Sequence, residues 1–307
     1  MPAIVVKDLK KYYGQTKAVD GISLTVEAGE VFGMLGPNGA GKTTTTEVIE
    51  GLRQPDEGLV QVLDLDVKRE ARKVKGRIGV QLQTTALYPR LNVREVLNLF
   101  ATFFPGPRRG TDELIDLVNL REKEKTLSKD LSGGQRQRLS VALALINKPE
   151  IVFLDEPTTG LDPQARRLMW ETIRQIKASG ATVFLTTHYM DEAHMLCDRV
   201  AVVDAGRIIA LNTPSALISQ HFRERAIEFD LTDPMPPEGT FRALPGVTRP
   251  GVREGNHVTL YTDDTTVTLG GLTGLSENGQ IKFDDLHVRR ATLEDVFLKL
   301  TGKRIRE

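Results

Sequence analysis

Gly36-Pro37-Asn38-Gly39-Ala40-Gly41-Lys42-Thr43 has the spacing of a phosphate-binding loop, a glycine, four variable residues and then Gly-Lys-Thr. Glycines let backbone N–H groups converge on phosphate oxygens. Thr44 opens the helix that follows, and its N-terminus adds partial positive charge. Lys42 can reach the β- and γ-phosphates, and the Thr43 hydroxyl can ligate Mg²⁺. The dinucleotide fingerprint, Gly-x-Gly-x-x-Gly, is absent from this stretch.

Two carboxylates form the second chemical feature. Asp155 and Glu156 end the apolar run Ile151-Val152-Phe153-Leu154. Buried unpaired acids are costly, so a plain strand end is the bland reading. Beside a triphosphate and Mg²⁺, Asp155 suits the ion's coordination shell and Glu156 suits the attacking water. His188, just past Thr182-Val183-Phe184-Leu185-Thr186, falls at the same sheet edge, where α/β proteins keep their sites. Gln83 ends the run Ile78–Gln83 and reads either as a polar strand end or as a metal or water ligand.

Leu131-Ser132-Gly133-Gly134-Gln135 leads into another helix. Ser132 reads as a helix cap with flexible glycines behind it, or as part of a second anion-binding helix end. Tyr13 reads either as a half-buried loop aromatic or as a flat platform for a purine.

These residues need a scaffold. Val31–Leu35, Ile78–Gln83, Ile151–Leu154 and Thr182–Thr186 read as buried strands of a parallel sheet. Ile4–Leu9 and Ile22–Val26 read as strands around a turn at Lys11–Gly14, and Leu59–Leu63 as an edge strand. The phosphate-loop helix is expected over Thr44–Leu52. Helical spacing at 94–104 and 111–120 marks a helical insertion over about residues 84–149. Leu161-Asp162-Pro163 opens a helix that Gly180 ends. Thr213-Pro214 marks a boundary, giving units of 1–212 and 213–307. The second unit alternates with period two, reads as mostly β and closes on a helix capped by Thr292.

The 307 residues carry no net formal charge, which gives no basic footprint for nucleic acid. The one cysteine, Cys197, precludes an intrachain disulfide and fits a reducing compartment. No apolar run reaches the ~20 residues that span a bilayer, and the N-terminus lacks a signal-peptide pattern. A cytoplasmic location is expected, with any membrane span supplied by another chain.

Together these motifs resemble the ATP-binding-cassette (ABC) ATPase family over about Ile4–Leu211. The order of phosphate loop, Leu131–Gln135 and Leu154-Asp155-Glu156-Pro157 carries the resemblance. It implies an α/β fold: a phosphate-loop NTPase (RecA-like) core, an N-terminal antiparallel β subdomain, the helical insertion and a small α+β C-terminal domain. It also implies ATP and Mg²⁺ as ligands. Tyr13 matches the adenine-stacking aromatic, Gln83 the glutamine that senses Mg²⁺ and water, and Asp155 the Mg²⁺-shell aspartate. Glu156 matches the catalytic base, His188 the γ-phosphate switch, and Asp162 the loop that communicates across a dimer.

The family implies a head-to-tail homodimer in which Ser132, Gly133, Gly134 and Gln135 of one copy close over ATP held by the other. It also implies an integral membrane permease on the inner face of the cell membrane, with no nucleic-acid partner. Ala86–Glu95 and Thr292–Leu298 are similar to the drug and antibiotic exporter branch, of the daunorubicin-resistance type. Asp64 stands where that branch leads one to expect a turn glycine. Leu87, Tyr88 and Leu91 read as core or as a dock for a partner's helix. The C-terminal unit shows no catalytic constellation and is expected to stabilise the dimer or tune activity. A soluble ABC protein acting on nucleic acid or ribosomes is the alternative. Such proteins usually carry two cassettes or a long coiled coil, and neither is present in this sequence.

Overall fold

The computed structural model describes residues 1–307 except 82–86, 223, 233–235, 238 and 303–307. Contacts divide it into two compact units, Met1–Pro214 and Ser215–Arg304.

In the first unit, β1 (Pro2–Tyr13) and β2 (Thr16–Glu27) form an antiparallel hairpin. β3 (Val31–Leu35) enters the phosphate loop, and α1 (Lys42–Ile49) leaves it. β4 (Glu57–Val62) pairs with β1 on one side and with the short β5 (Leu65–Asp66) on the other. Thus β4 is an inner strand of the sheet β2-β1-β4-β5, not its edge. The β4–β5 turn forms without glycine because Leu63 and Asp64 take φ of +52° and +63°. Aspartate tolerates that left-handed conformation better than most residues.

α2 (Val67–Arg77) leads to β6 (Ile78–Gln81), and then the helical insertion supplies α3 (Val93–Ala101), α4 (Thr111–Leu117) and α5 (Gly133–Ala144). The chain returns through β7 (Ile151–Asp155), α6 (Pro163–Ala178), β8 (Thr182–Thr187), α7 (Met190–Leu196), β9 (Arg199–Asp204) and β10 (Arg207–Asn212). Among the described residues the main sheet runs β10-β9-β3-β8-β7-β6, parallel from β9 to β6 with β10 antiparallel at one edge. Every residue of β3, β7 and β8 is buried, as expected of strands covered on both faces. The Phe184 ring lies in this core with its centroid 5.5 Å from that of Phe32 on one side and 5.5 Å from that of Phe153 on the other.

α8 (Pro214–His221) spans the boundary between the units. The second unit then contains β11 (Arg225–Leu231), β12 (Val247–Glu254), β13 (His257–Thr262), α9 (Thr265–Glu277), β14 (Phe283–Arg290) and α10 (Leu293–Thr301). Its antiparallel sheet runs β12-β13-β11-β14. Ile227, Phe229, Leu260 and Leu272 form its apolar core, so α9 packs on one sheet face. The mostly-β reading therefore understates the helices.

Candidate functional site

The parallel strands bring the sequence motifs to their shared C-terminal edge. β3 sits between β8 and β9, and β8 sits between β3 and β7. The phosphate loop therefore follows β3, Asp155 ends β7 with Glu156 just beyond it, and His188 follows β8, on adjacent strands.

The loop is held by close backbone packing. A Cβ on Gly36 would lie 2.3 Å from the Val203 carbonyl oxygen. One on Gly41, at φ +100°, would lie 2.3 Å from the Ala18 carbonyl oxygen. Pro37 is half-buried, Asn38 and Gly39 are exposed, and Ala40 is buried. Lys42 is buried at 4% exposure, and its Nζ donates to the Gly36 and Pro37 carbonyls at 2.8 and 3.1 Å. Burial pushes its pKa down, against the opposing pull of Glu156. Thr43 is exposed and Thr44 half-buried in the first turn of α1. The helix therefore starts earlier than expected, at Lys42, because the loop already supplies its first turn.

The acids are fixed by one threonine. Thr186 Oγ1 donates to Asp155 Oδ1 and accepts from the Glu156 backbone N–H at 3.1 Å. Glu156 adopts φ +47°, a strained conformation for a residue with a Cβ. Its Oε1 lies 3.4 Å from Lys42 Nζ and 3.3 Å from His188 Nδ1. The His188 contact lacks hydrogen-bond alignment, leaving that buried nitrogen without a hydrogen-bond partner among the described residues. Burial raises the Asp155 pKa, partly offset by the Thr186 hydrogen bond.

Thr43 Oγ1 stands 3.5 Å from Asp155 Oδ2. These are hard oxygen donors, the kind Mg²⁺ prefers together with phosphate oxygens and water. Among the described residues no cluster of three or more His, Cys, Asp or Glu side chains forms a ready-made metal cage. The donor set therefore fits an ion carried in largely by phosphates. Gln83, the third expected ligand, lies outside the described residues.

Tyr13 ends β1 at 42% exposure, with Lys11 Nζ and the Arg53 guanidinium each 5.7 Å from its ring centroid. Asp162 caps α6 by accepting from the Gln164 and Ala165 N–H groups. Ser132 caps α5 through a reciprocal box: its Oγ accepts from Gln135 N–H, and Gln135 Oε1 accepts from Ser132 N–H. Gly133 has open space around it, whereas Gly134 packs beside Ala165. No hydrogen bond or ion pair among the described residues joins this helix end to the phosphate loop of the same chain.

Sequence reasoning missed Thr186. Its hydroxyl is invisible in a β-branched apolar strand, where threonine fits on propensity alone. It also missed Glu192 of α7, which is fully buried and accepts from Trp170 Nε1 at 3.2 Å.

The family described as ABC transporter matches residues 19–159. Nod factor export ATP-binding protein I of Ralstonia nicotianae is 40% identical over 310 residues, spanning 100% of this chain and 96% of that protein. Daunorubicin resistance ATP-binding protein DrrA3 of Streptomyces coeruleorubidus is 41% identical over 313 residues, spanning 99% and 98%. Among solved structures, cbiO1 of Clostridium perfringens, part of an ABC transporter complex, aligns with TM-score 0.66 at 26% identity, covering 72% of this chain and 92% of that one. A cassette crystallised as a post-hydrolysis dimer with ADP and Pi aligns with TM-score 0.62 at 26% identity, covering 68% and 98%. With the phosphate loop, the acid pair and relatives matching along nearly the whole length, the chain belongs to the ABC transporter family as an ATP-binding subunit that hydrolyses ATP.

Proposed function

We propose that this chain is the ATPase of an exporter, working as a homodimer beneath a separate integral membrane permease. The cargo class is a drug, antibiotic or lipid-like molecule, in keeping with the names of the export and resistance relatives. Among the described residues no helix is long and apolar enough to cross a membrane, so the span falls to the partner. The cytoplasmic face of the cell membrane is the matching location. Tyr88, 49% exposed beside Phe100, offers that partner an aromatic contact.

The convergence of Lys42 and His188 on one Glu156 carboxylate oxygen carries the reading. Lys42 exchanges its carbonyl and Glu156 contacts for β- and γ-phosphate oxygens. Glu156, relieved of the lysine, takes the proton of the attacking water, and His188 orients the γ-phosphate. Thr43 and Asp155, together with Gln83, would hold Mg²⁺. When bound, the ion neutralises charge growing between the β- and γ-phosphates. Tyr13 covers the adenine. Ser132, Gly133, Gly134 and Gln135 of the second copy close the site, with Asp162 at the seam. Because each helix end serves its neighbour's nucleotide, ATP joins the two copies and hydrolysis releases them.

Glu156→Gln tests this reading. Its turnover should fall ~10²–10⁴-fold, as expected on removal of a general base. ATP should remain bound, and the chain should run as a dimer by light scattering only with nucleotide. Parent-rate hydrolysis removes the base assignment, and an ATP-loaded monomer removes the shared site.

A further inference from the structure

One buried acid has no part in this chemistry. Glu50 is the C-cap of α1, and only 3% of it is exposed. Its carboxyl receives no hydrogen bond and forms no ion pair among the described residues. Burial, with Asp155 and Glu47 adding like charge, raises its pKa to about 8. The negative end of the α1 dipole works in the same direction. An uncompensated buried acid is costly, and natural folds supply a partner for most of them.

Glu50 lines a cavity of about 300 Å³. Leu52, Ile78, Val80, Phe104 and Ala144 give it mainly apolar walls. The polar lining is already occupied or peripheral. Asn147 Nδ2 donates to the Gly76 and Ile78 carbonyls, and Lys75 is an exposed residue of α2 with no ion pair to Glu50. One acid among apolar walls is a poor cage for a divalent metal, which seeks several oxygens. It suits a long aliphatic stem ending in a cation, whose methylenes pack on the walls while its head reaches the acid.

We propose that this cavity receives a single arginine or lysine side chain from the membrane partner, with Glu50 as its counter-ion; the assignment rests on the exporter-subunit reading above. α1 joins this pocket to the phosphate loop. Glu50 lies eight residues after Lys42, about 12 Å along the helix at 1.5 Å per residue. A cation seated there compensates the negative end of the helix whose first turn faces the phosphates.

The test uses the complete transporter, this chain co-expressed with its membrane subunit and extracted in detergent. Retention of the chain is measured against salt for Glu50→Gln, Glu50→Lys and Lys75→Met. Glu50→Gln mimics the protonated acid, so at neutral pH its melting temperature should match or exceed the parent's. Its affinity for the membrane subunit should fall at least about tenfold, equivalent to ~1.4 kcal/mol. Glu50→Lys should abolish retention, and an acidic substitution at the facing basic residue of the membrane subunit should restore it. Parent-like retention by both Glu50 variants overturns the proposal, as does an equal loss in Lys75→Met, which would make the pair internal. If even the unaltered chain forms no complex, the exporter reading fails as well; a complex indifferent to Glu50 removes only this pocket.

Discussion

Lys42 Nζ and Glu156 Oε1 lie 3.4 Å apart with both residues almost fully buried, so each is the other's counter-ion. On the proposed reading a phosphate would compete with Glu156 for the lysine, and the acid would gain freedom when it did. Removing one partner of a buried ion pair costs ~3–5 kcal/mol. Lys42→Ala is therefore expected to lower unfolding stability by roughly that amount in urea titrations. Mg–ATP at a hundredfold its dissociation constant should stabilise the parent by ~2.7 kcal/mol. The variant should lose that protection, and an undiminished nucleotide effect would exclude Lys42 from phosphate binding.

Asp155 sits behind Thr43 and is held by Thr186, which suits it to the ion's outer shell. Losing such a partner typically lowers metal affinity or activity ~10–100-fold. Chelation should stop ATP turnover, and added Mg²⁺ should restore it. Asp155→Asn should move the Mg²⁺ dependence of the rate to higher concentration by a factor in that range. An unchanged Mg²⁺ titration curve would remove Asp155 from the metal site.

Adjacent glycines should separate packing from catalysis. A methyl at Gly134 would meet the Ala165 side chain at 2.8 Å, whereas one at Gly133 meets nothing within 4 Å. Overpacking a filled site costs ~1–3 kcal/mol. Gly134→Ala should destabilise the isolated subunit by that amount, and Gly133→Ala should keep its stability, since alanine is the better helix former. Gly133→Ala should nevertheless reduce ATPase activity if, as proposed, a second copy's nucleotide fits into that open space. Denaturation curves alongside turnover rates will tell the two effects apart.

Glu50 should make stability fall as pH rises. Its ordinary pKa of 4.5 is raised to about 8 in the fold. Between those values the folded chain holds a proton that the unfolded chain has lost. The contribution is therefore fully present below 4.5 and is lost as pH climbs through about 8. The slope reaches at most ~1.4 kcal/mol per pH unit for one proton. Urea unfolding at pH 5, 7 and 9, without nucleotide or metal, should show the parent losing more stability than Glu50→Gln. Parallel curves for the two proteins would count against the burial of that acid.

The parallel core was legible because its strands are short apolar runs, and 31–35 and 151–155 are buried throughout. Motif residues were legible for a related reason: a strand followed by a glycine loop or an acid pair is local in sequence. Elements whose cause is tertiary were harder to read. α9 is rich in threonine and glycine, weak helix formers, yet Asp264 caps it and Thr268 and Leu272 are buried. α2 is mostly charged and buries only Val67 and Val74, so its narrow apolar stripe is easily passed over in the sequence. β1 continues through Tyr12, expected at a turn, since Asp56 from distant sequence accepts the Tyr12 N–H at 2.6 Å. In the site, the distances among Lys42, Glu156 and His188 follow from strand order, which no single segment encodes.

Thr186 has a consequence beyond its hydrogen bonds. Its single hydroxyl engages the side chain of one acid and the backbone of the next, and its own strand runs on to His188 two residues later. The proposed ion holder, proton acceptor and phosphate sensor, Asp155, Glu156 and His188, thus share one mechanical reference point on β8. A displacement of that strand end shifts all three in concert, so the subunit has no ready way to disarm one and leave the others set.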